Sequence, residues 1–428
     1  MKKTVSLKFS LCLGLAICVM FSAAVLGIST DADAASWDAG DWKVSMGGNV
    51  NAFYVYTMCD NGDMAASIAN GGPATWTGYA CAGATDKDDN FDDYHSVQNG
   101  LLPASLNFSA ATNQDGWDIS ANVNVYYGIV SRGTNRDDTG TSDALQFSTV
   151  DARQVYLTFG KKDLGTVKMG RDFGLFAFDA IINDMSLLGV GGGHLSADPA
   201  HTTLGGLGFG YVYTDRLAQI DYTTPNWGGF QATVGIFEGF DGNGARNADT
   251  PGYHAKVSFS WTGPAPGMAS ATYLNQDVIT TVGTDEEIKG WDFFAKVNIG
   301  PVGLLGYYYD AEGMTSLAIG GYAFPGFGTD AVTGATGTPE EVDGYMAQVT
   351  WTIIPPLRIG LNYSANESDK VTLMENEKWT FGVYYNLTPA LTLLAEYSDM
   401  ESQRNEASFG VNDTDEAQNF NIGAILFF

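Results

Sequence analysis

Few residues of this sequence could perform acid–base or nucleophilic chemistry. Its histidines are His95, His194, His201 and His254. None of them stands beside a Ser or Cys nucleophile motif, and hydrolysis through a covalent intermediate needs a nucleophile within reach of its base. The sequence therefore gives a hydrolase little support.

Residues with metal-ligand chemistry are equally sparse. One acidic stretch matches the first four ligand positions of a calcium-binding loop: Asp86, Asp88, Asn90 and Asp92. However, Phe91 stands where such a loop needs Gly, and Val97 stands where it needs a bidentate Glu. We therefore expect no cofactor, and at most loose binding of divalent cations by acidic loops.

The four cysteines, Cys12, Cys18, Cys59 and Cys81, contain no CxxC pair and no Cys/His cluster with zinc spacing. Cys59 and Cys81 remain after removal of an N-terminal signal. Outside the cytoplasm these two residues can form a disulfide, and two free thiols are the alternative.

The N-terminus predicts export. A basic start is followed by an almost unbroken apolar stretch over residues 9–28, and Ala32-Asp33-Ala34 supplies the small residues of a signal-peptidase site. We expect residues 1–34 to be removed and residues 35–428 to form one domain. A retained transmembrane anchor is the alternative, because twenty apolar residues can span a bilayer.

Composition excludes two classes of protein. The 428 residues include 21 basic and 49 acidic side chains, a formal net charge of −28, so a nucleic-acid backbone would repel the chain. Hydrophobic residues make up 45% of the sequence, which excludes disorder. Charged residues make up only 16% of the sequence, below the roughly 25% of a soluble domain. Much of the apolar surface must therefore be shielded from water in some other way than in an ordinary soluble domain.

Alternation of apolar and polar residues indicates where that surface lies. One stretch has apolar residues at Trp117, Ile119, Ala121, Val123, Val125, Tyr127 and Ile129. A two-residue period places such residues on one face of a β-strand. Similar stretches begin at Trp42, Tyr253, Trp291 and Trp379, and terminal aromatics of this kind are typical of the girdles of membrane barrels.

The connections between these stretches alternate between tight turns and long polar loops. The tight turns fall at 113–116, 161–164, 225–228, 263–266, 300–301, 355–356 and 388–389, and the long loops at 56–98, 131–150, 172–213, 239–250, 278–288, 312–341, 368–375 and 402–415. Seven short and eight long connections join sixteen strands. This predicts an all-β fold, a closed transmembrane antiparallel β-barrel with both termini at the rim that carries the short turns. Residues 206–213 are assigned to the third loop rather than to a seventeenth strand, because only that assignment keeps the alternation.

Three stretches carry a family resemblance: RQVYLTFGKKDLGTVKMGRD at 153–172, GLFAFDAIINDM at 174–185 and RLAQIDYTTPNWGGF at 216–230. They resemble the strands around the constriction loop, and the loop itself, of the trimeric general-diffusion porins of Gram-negative outer membranes. The chain also ends on Phe428, as porins do for recognition by the barrel-assembly machinery. The resemblance implies a homotrimer in contact with outer-membrane lipid and lipopolysaccharide, with its third long loop folded into the lumen. It also implies a water-filled channel for passive diffusion of ions and small hydrophilic solutes.

In such a channel, carboxylates of the folded loop face basic residues of the wall. The resemblance implies loop carboxylates at Asp172, Asp179 and Asp184 and wall cations at Arg153, Lys168, Arg171 and Arg216. For Asp179 and Asp184, plain solvated loop carboxylates are the alternative. Arg153 and Arg216 share their parity with apolar residues, so the local pattern places them on the lipid side and the resemblance places them in the lumen. Leu188 stands where related porins often carry an acid, which weakens the negative side of the constriction.

Charge patterning suggests the ion preference. Five basic residues lie on the polar face of clean strands and are expected in the lumen: Lys43, Lys256, Lys296, Arg358 and Lys378. The eight loops hold 28 acidic and six basic residues, so the outer mouth would concentrate cations and make the channel moderately cation-selective. A structural or adhesive barrel with a closed lumen and a barrel-embedded hydrolase are the alternatives.

Overall fold

The computed structural model describes residues 35–60, 80, 94–129, 150–192, 203, 205–212, 216–239, 241, 244–314, 326–371, 373–404 and 413–428. The strands are, in chain order, β1 (Ala35–Ala39), β2 (Trp42–Asp60), β3 (Tyr94–Gln98), β4 (Ala104–Gln114), β5 (Trp117–Tyr127), β6 (Val150–Lys161), β7 (Gly165–Phe173), β8 (Arg216–Thr223), β9 (Phe230–Phe237), β10 (Ala245–Asn247), β11 (Gly252–Trp261), β12 (Gly267–Thr280), β13 (Asp285–Ile299), β14 (Val302–Glu312), β15 (Phe327–Thr329), β16 (Thr336–Pro339), β17 (Glu341–Ile354), β18 (Leu357–Ser368), β19 (Met374–Asn386), β20 (Leu391–Arg404) and β21 (Asp413–Phe427). Helix α1 (Phe178–Asn183) and the 3₁₀ turn Met185–Leu188 lie between β7 and β8. No helix among these residues is both long enough and apolar enough to cross a membrane.

Sixteen of the described strands form the wall of a closed antiparallel barrel: β2, β4 to β9, β11 to β14 and β17 to β21. Pairing of β21 with β2, where Asn49 lies opposite Phe427, closes the sheet. Closure satisfies the backbone groups that lipid could not satisfy. The sixteen-stranded all-β fold predicted from the alternation is confirmed.

The two faces of the wall differ in polarity. On β18, Leu361 is 46% exposed, whereas Asn362 and Ser364 are buried on the opposite face. We call these the outer face and the inner face. Exposed apolar side chains are unfavourable in water but favourable in contact with lipid tails. This alternation of exposed apolar and buried polar residues therefore suits a strand that crosses a membrane.

The short connections are tight turns, as predicted. Asp115 and Gly116 join β4 to β5 with φ angles of 52° and 76°, the conformation that a two-residue hairpin turn needs and that Asp-Gly favours. Two connections predicted to be long loops, 278–288 and 368–375, are shorter. The strands on either side of each connection extend beyond their apolar stretch into polar residues. Only residues 281–284 and 369–373 therefore remain between strands.

Five of the described strands were not predicted: β1, β3, β10, β15 and β16. β1 pairs with β2, with Ala35 opposite Met46. β3 also pairs with β2, and the chain then leaves the wall over residues 99–103 before β4 resumes the same partner. This break lies inward, because the backbone N–H of Leu101 donates to the carbonyl oxygen of Gly189 at 2.8 Å.

Residues 205–212 form turns and isolated bridges, so the seventeenth strand is absent, as predicted. Phe209 and Tyr211 of this stretch are buried in one apolar cluster with Phe294 and Leu305 of the inner face. Side chains of residues 205–212 therefore cover part of the inner face.

Candidate functional site

The third-loop segment, residues 174–192 and 205–212, connects β7 to β8 and contacts inner-face side chains of distant strands. Its start is fixed to β13, because the backbone N–H of Ala177 donates to Asp292 Oδ2 at 2.6 Å. Phe176 makes an edge-on contact with Tyr309 of β14, with ring centroids 6.4 Å apart. These contacts determine where α1 begins.

Asp179, in the first turn of α1, faces a cation of the wall. Its Oδ2 forms an ion pair with Lys256 Nζ of β11 and accepts a hydrogen bond from Ser270 Oγ of β12 at 2.5 Å. The residue is buried. Asp179 is therefore paired rather than solvated, and it meets one of the basic residues that the alternation places on the inner face.

Asp184 has a different environment. It accepts hydrogen bonds from the backbone N–H and the hydroxyl of Ser186, at 2.9 and 2.7 Å, and from the Tyr211 hydroxyl at 2.8 Å. All these partners belong to the third-loop segment itself. Asp184 thus caps the 3₁₀ turn and joins the two halves of the segment, and none of these hydrogen bonds comes from a wall cation.

The end of α1 is attached to β13 and β17. Lys296 Nζ donates to Asn183 Oδ1 at 2.7 Å. The Gln348 side chain donates to the Asn183 carbonyl at 3.1 Å and accepts from the Met185 N–H at 2.7 Å. One side-chain amide of the wall therefore satisfies both a carbonyl and an N–H at the junction of the two helical turns.

The last attachment is to β20. Glu396 Oε2 accepts hydrogen bonds from the backbone N–H groups of Val190 and Gly191 at 2.8 and 2.9 Å. Its Oε1 accepts from the Tyr384 hydroxyl at 2.6 Å. A Cβ atom at Gly189 would collide with this carboxylate, so the pliable glycine run is what lets the backbone approach Glu396.

Arg153 lies at a β-bulge that resolves its ambiguous parity. Asn124 of β5 pairs with Gln154 and Val125 pairs with Ala152, so Arg153 is the extra residue. Its Nε donates to Asp151 Oδ2 at 2.8 Å, and the side chain is nearly buried. A bulge turns one side chain to the other face, while the alternation continues on each side of it. The alternation that follows Arg153 therefore placed this residue on the lipid side, although the bulge turns it inward.

Arg216 shares the partner of Arg153. Its Nη1 lies 3.3 Å from Asp151 Oδ2. Arg216 is the first residue of β8, and the next inner-face residues are Leu217 and Gln219. At the end of a strand the parity no longer fixes a long side chain, so Arg216 reaches Asp151 although its neighbours of equal parity are exposed.

Lys168 and Arg171 lie on opposite faces of β7. Lys168 Nζ contacts Asp172 at 2.8 Å and Asp221 at 3.1 Å. Arg171 is exposed on the outer face, opposite Val155 in the register and with the parity of Met169. Its predicted place among the constriction cations is therefore wrong, because the strand period and not the Gly-Arg motif decides its direction.

The sequence over residues 16–405 matches the family model described as Gram-negative porin. The chain belongs to the Gram-negative porin family. Its fold resembles the outer membrane channel DcaP of Acinetobacter baumannii (17% identity, TM-score 0.61, 92% of this chain and 100% of that chain). It also resembles the anion-selective porin from Comamonas acidovorans (14%, 0.57, 90% and 100%) and the trimer form of Vibrio cholerae OmpT (14%, 0.50, 91% and 100%). No curated protein matches the sequence. The chain is therefore a porin, a channel protein of the outer membrane of Gram-negative bacteria.

The five basic residues that the alternation places on the inner face of the porin differ in their surroundings. Lys256 and Lys296 reach α1, and Lys378 Nζ, 2% exposed, donates to the Gly205 carbonyl at 2.5 Å under the third-loop segment. Arg358 lies over the Tyr384 ring at 4.8 Å, and Lys43 is half-buried on β2.

Several predictions concern residues outside the described part of the porin. Cys59 is disulfide-bonded, but its predicted partner Cys81 is not among the described residues. The acidic stretch 86–92 and the signal segment 1–34 also lie outside them. Within the described residues, no group of three or more His, Cys, Asp or Glu side chains is arranged to hold a metal ion.

Sequence reasoning missed Gln348 and Glu396, which hold the third-loop segment. A signal for Glu396 was present, because it lies at a polar position between the apolar Leu393, Ala395 and Tyr397 of β20. A carboxylate on the inner face of a membrane strand has a partner or a function. Two of its partners are backbone N–H groups of the third-loop segment, which no side-chain pattern identifies.

Proposed function

We propose that this porin forms a water-filled channel for passive diffusion of ions and small hydrophilic solutes, narrowed by the third-loop segment and moderately cation-selective at low salt. The observation that carries the proposal is the course of the segment's hydrogen bonds, from Asp292 on β13 through Gln348 on β17 to Glu396 on β20. These are inner-face residues of separate strands. The attachment of one segment to all three supports a course across the inside of the barrel.

The sign of selectivity follows from which charges remain unbalanced. Asp179 is paired with Lys256, and Asp172 and Asp221 share Lys168, so two cations partly balance three carboxylates. Apart from Asp172 and Asp179, the predicted loops carry 26 acidic against six basic residues. A negative vestibule raises the local cation concentration before an ion reaches the narrow part. The anion-selective porin from Comamonas acidovorans shares the fold at 14% identity, so the fold alone does not determine the sign of the selectivity.

The test is a reversal potential across a planar bilayer that contains the purified porin, measured in a dilute KCl gradient. We expect cation preference that fades as salt rises, because the screening length falls to about 8 Å at physiological ionic strength. Anion preference at low salt contradicts the proposed selectivity. Absence of any conductance contradicts the channel and favours a closed structural or adhesive barrel.

We also propose that the porin is not an enzyme. His254 Nε2 contacts Asp221 Oδ1 at 2.8 Å, while Nδ1 has no hydrogen-bond partner in the part of the chain that the structure describes. A hydrolytic triad would need a nucleophile at that nitrogen. Hydrolysis of ester or peptide substrates that disappears in His254→Ala would contradict this.

The assembly proposed for the porin is a homotrimer in contact with outer-membrane lipid and lipopolysaccharide, exported with a removable signal and inserted through its C-terminal Phe428. The trimer form of a similar structure supports the oligomer. Loose divalent-cation binding at acidic loops, bridging to lipopolysaccharide phosphates, remains part of this proposal.

A further inference from the structure

Most basic residues of the inner face have an oxygen partner. Lys168, Lys256, Arg153 and Arg216 each contact a carboxylate. Lys296 and Lys378 donate to oxygen atoms of the third-loop segment. In the first group a carboxylate balances the positive charge. In the second group the cation holds the third-loop segment in place.

Arg358 differs from this group. Its guanidinium lies over the Tyr384 ring, with Cζ 4.8 Å from the centroid, and it has no hydrogen-bond or carboxylate partner among the described residues. Stacking occupies one face of the guanidinium and leaves the N–H edges available. Arg358 is also half-buried, and a partly desolvated charge without a counter-ion is unfavourable.

The carboxylate at the far end of Tyr384 cannot serve as that counter-ion. Glu396 accepts the Tyr384 hydroxyl at one oxygen and two backbone N–H groups of the third-loop segment at the other. Turning towards Arg358 would release the loop. The Glu396 carboxylate therefore stays at the hydroxyl end of the Tyr384 ring. The Arg358 guanidinium over the face of that ring has no counter-ion among the described residues.

The position of Arg358 along the barrel is defined by its neighbour. Gly360, two residues further along β18, contacts the Met185 side chain of the third-loop segment, since a Cβ there would lie 2.6 Å from Sδ. Arg358 lies on the other side, towards the short Pro355-Pro356 turn. A solute that has passed the third-loop segment from the outside therefore meets Arg358 next.

We propose that Arg358 is an oxyanion subsite on the periplasmic side of the constriction, which binds the carboxylate or phosphate group of a permeating solute. The planar fork of N–H donors matches either group with two parallel hydrogen bonds. The inference rests on the proposed channel function and adds the solute chemistry. Because the acidic loops repel anions from the outer mouth, the subsite fills more readily from the periplasmic side.

The experiment measures block of KCl conductance through single channels by inorganic phosphate and by acetate, each added to one side at a time. We expect both anions to reduce conductance, more strongly from one side. Arg358→Gln raises the half-blocking concentration about tenfold, the factor expected for loss of charge-assisted hydrogen bonds. Arg358→Lys keeps the charge but loses the fork and raises it by about threefold.

The matched control is Lys162→Gln, which removes a positive charge from an exposed short turn and leaves the block unchanged. KCl conductance of each variant shows that its barrel has folded. Block by phosphate alone or by acetate alone supports the subsite and assigns its anion. Equal block in Arg358→Gln and in the unmodified porin overturns the subsite while leaving the channel intact. Absence of KCl conductance overturns both proposals.

Discussion

At the scale of single residues, Glu396 shows how a carboxylate can attach a loop to the inner face of a barrel wall. Its oxygens accept two backbone N–H groups and a tyrosine hydroxyl, and it is 1% exposed. Bonds of this kind strengthen when water is excluded, because the alternative is an unsatisfied buried group. Glu396 is therefore expected to determine how long the third-loop segment stays in place.

Replacing Glu396 with Ala removes the single oxygen, Oε2, that accepts hydrogen bonds from both Val190 and Gly191. We expect this to weaken the attachment by about 1.5–3 kcal/mol, the range for hydrogen bonds to charged groups. Single-channel recordings should show larger and noisier conductance while the barrel still forms. Glu401→Ala, an exposed residue of the same strand, is the control and should leave the recordings unchanged. Identical traces for the two variants would contradict the anchoring role.

At the scale of elements, the alternation of the strands carries most of the information. A one-residue shift moves every side chain to the other face, so sixteen strands with one apolar face could be predicted from the sequence. The bulge at Arg153 could not, because its signal is a single residue out of phase. The contacts of the third-loop segment could not be predicted either, since they join backbone groups to side chains about two hundred residues away.

The bulge leads to a prediction about deletions. Because Arg153 is the extra residue opposite β5, deleting it restores a regular ladder and keeps Asp151 and Gln154 on the inner face. Deleting Tyr156 instead shifts the register and sends the polar residues on one side of the deletion into lipid. We expect the first variant to assemble in outer membranes and the second to be degraded. Equal assembly yields, measured by unheated gel migration, would show that the bulge has no such role.

At the scale of the whole molecule, one part of the outer face is expected to contact lipid and another part to contact the neighbouring subunits. Arg171 is exposed among apolar neighbours and has no ion-pair partner in the described residues. In lipid such a charge costs about 2–4 kcal/mol at the bilayer midplane and less near the interfaces. A contact between subunits can supply partners and removes this cost. The outer faces of the first strands of the barrel, β2 and β5 together with β7, are therefore the expected trimer contact.

Arg171 provides the test of that assembly. In mild detergent, mass photometry should find a homotrimer, and Arg171→Ala should lower the temperature at which it dissociates, because the interface loses a buried polar contact. Lys289→Ala, which removes an outward cation paired with Glu312 on β14, lies away from the first strands and should leave that temperature unchanged. Only monomers in the unmodified porin would contradict the trimer. A higher dissociation temperature in Arg171→Ala would mean that Arg171 faces lipid, where removing its charge is favourable, and would move the contact to another part of the wall.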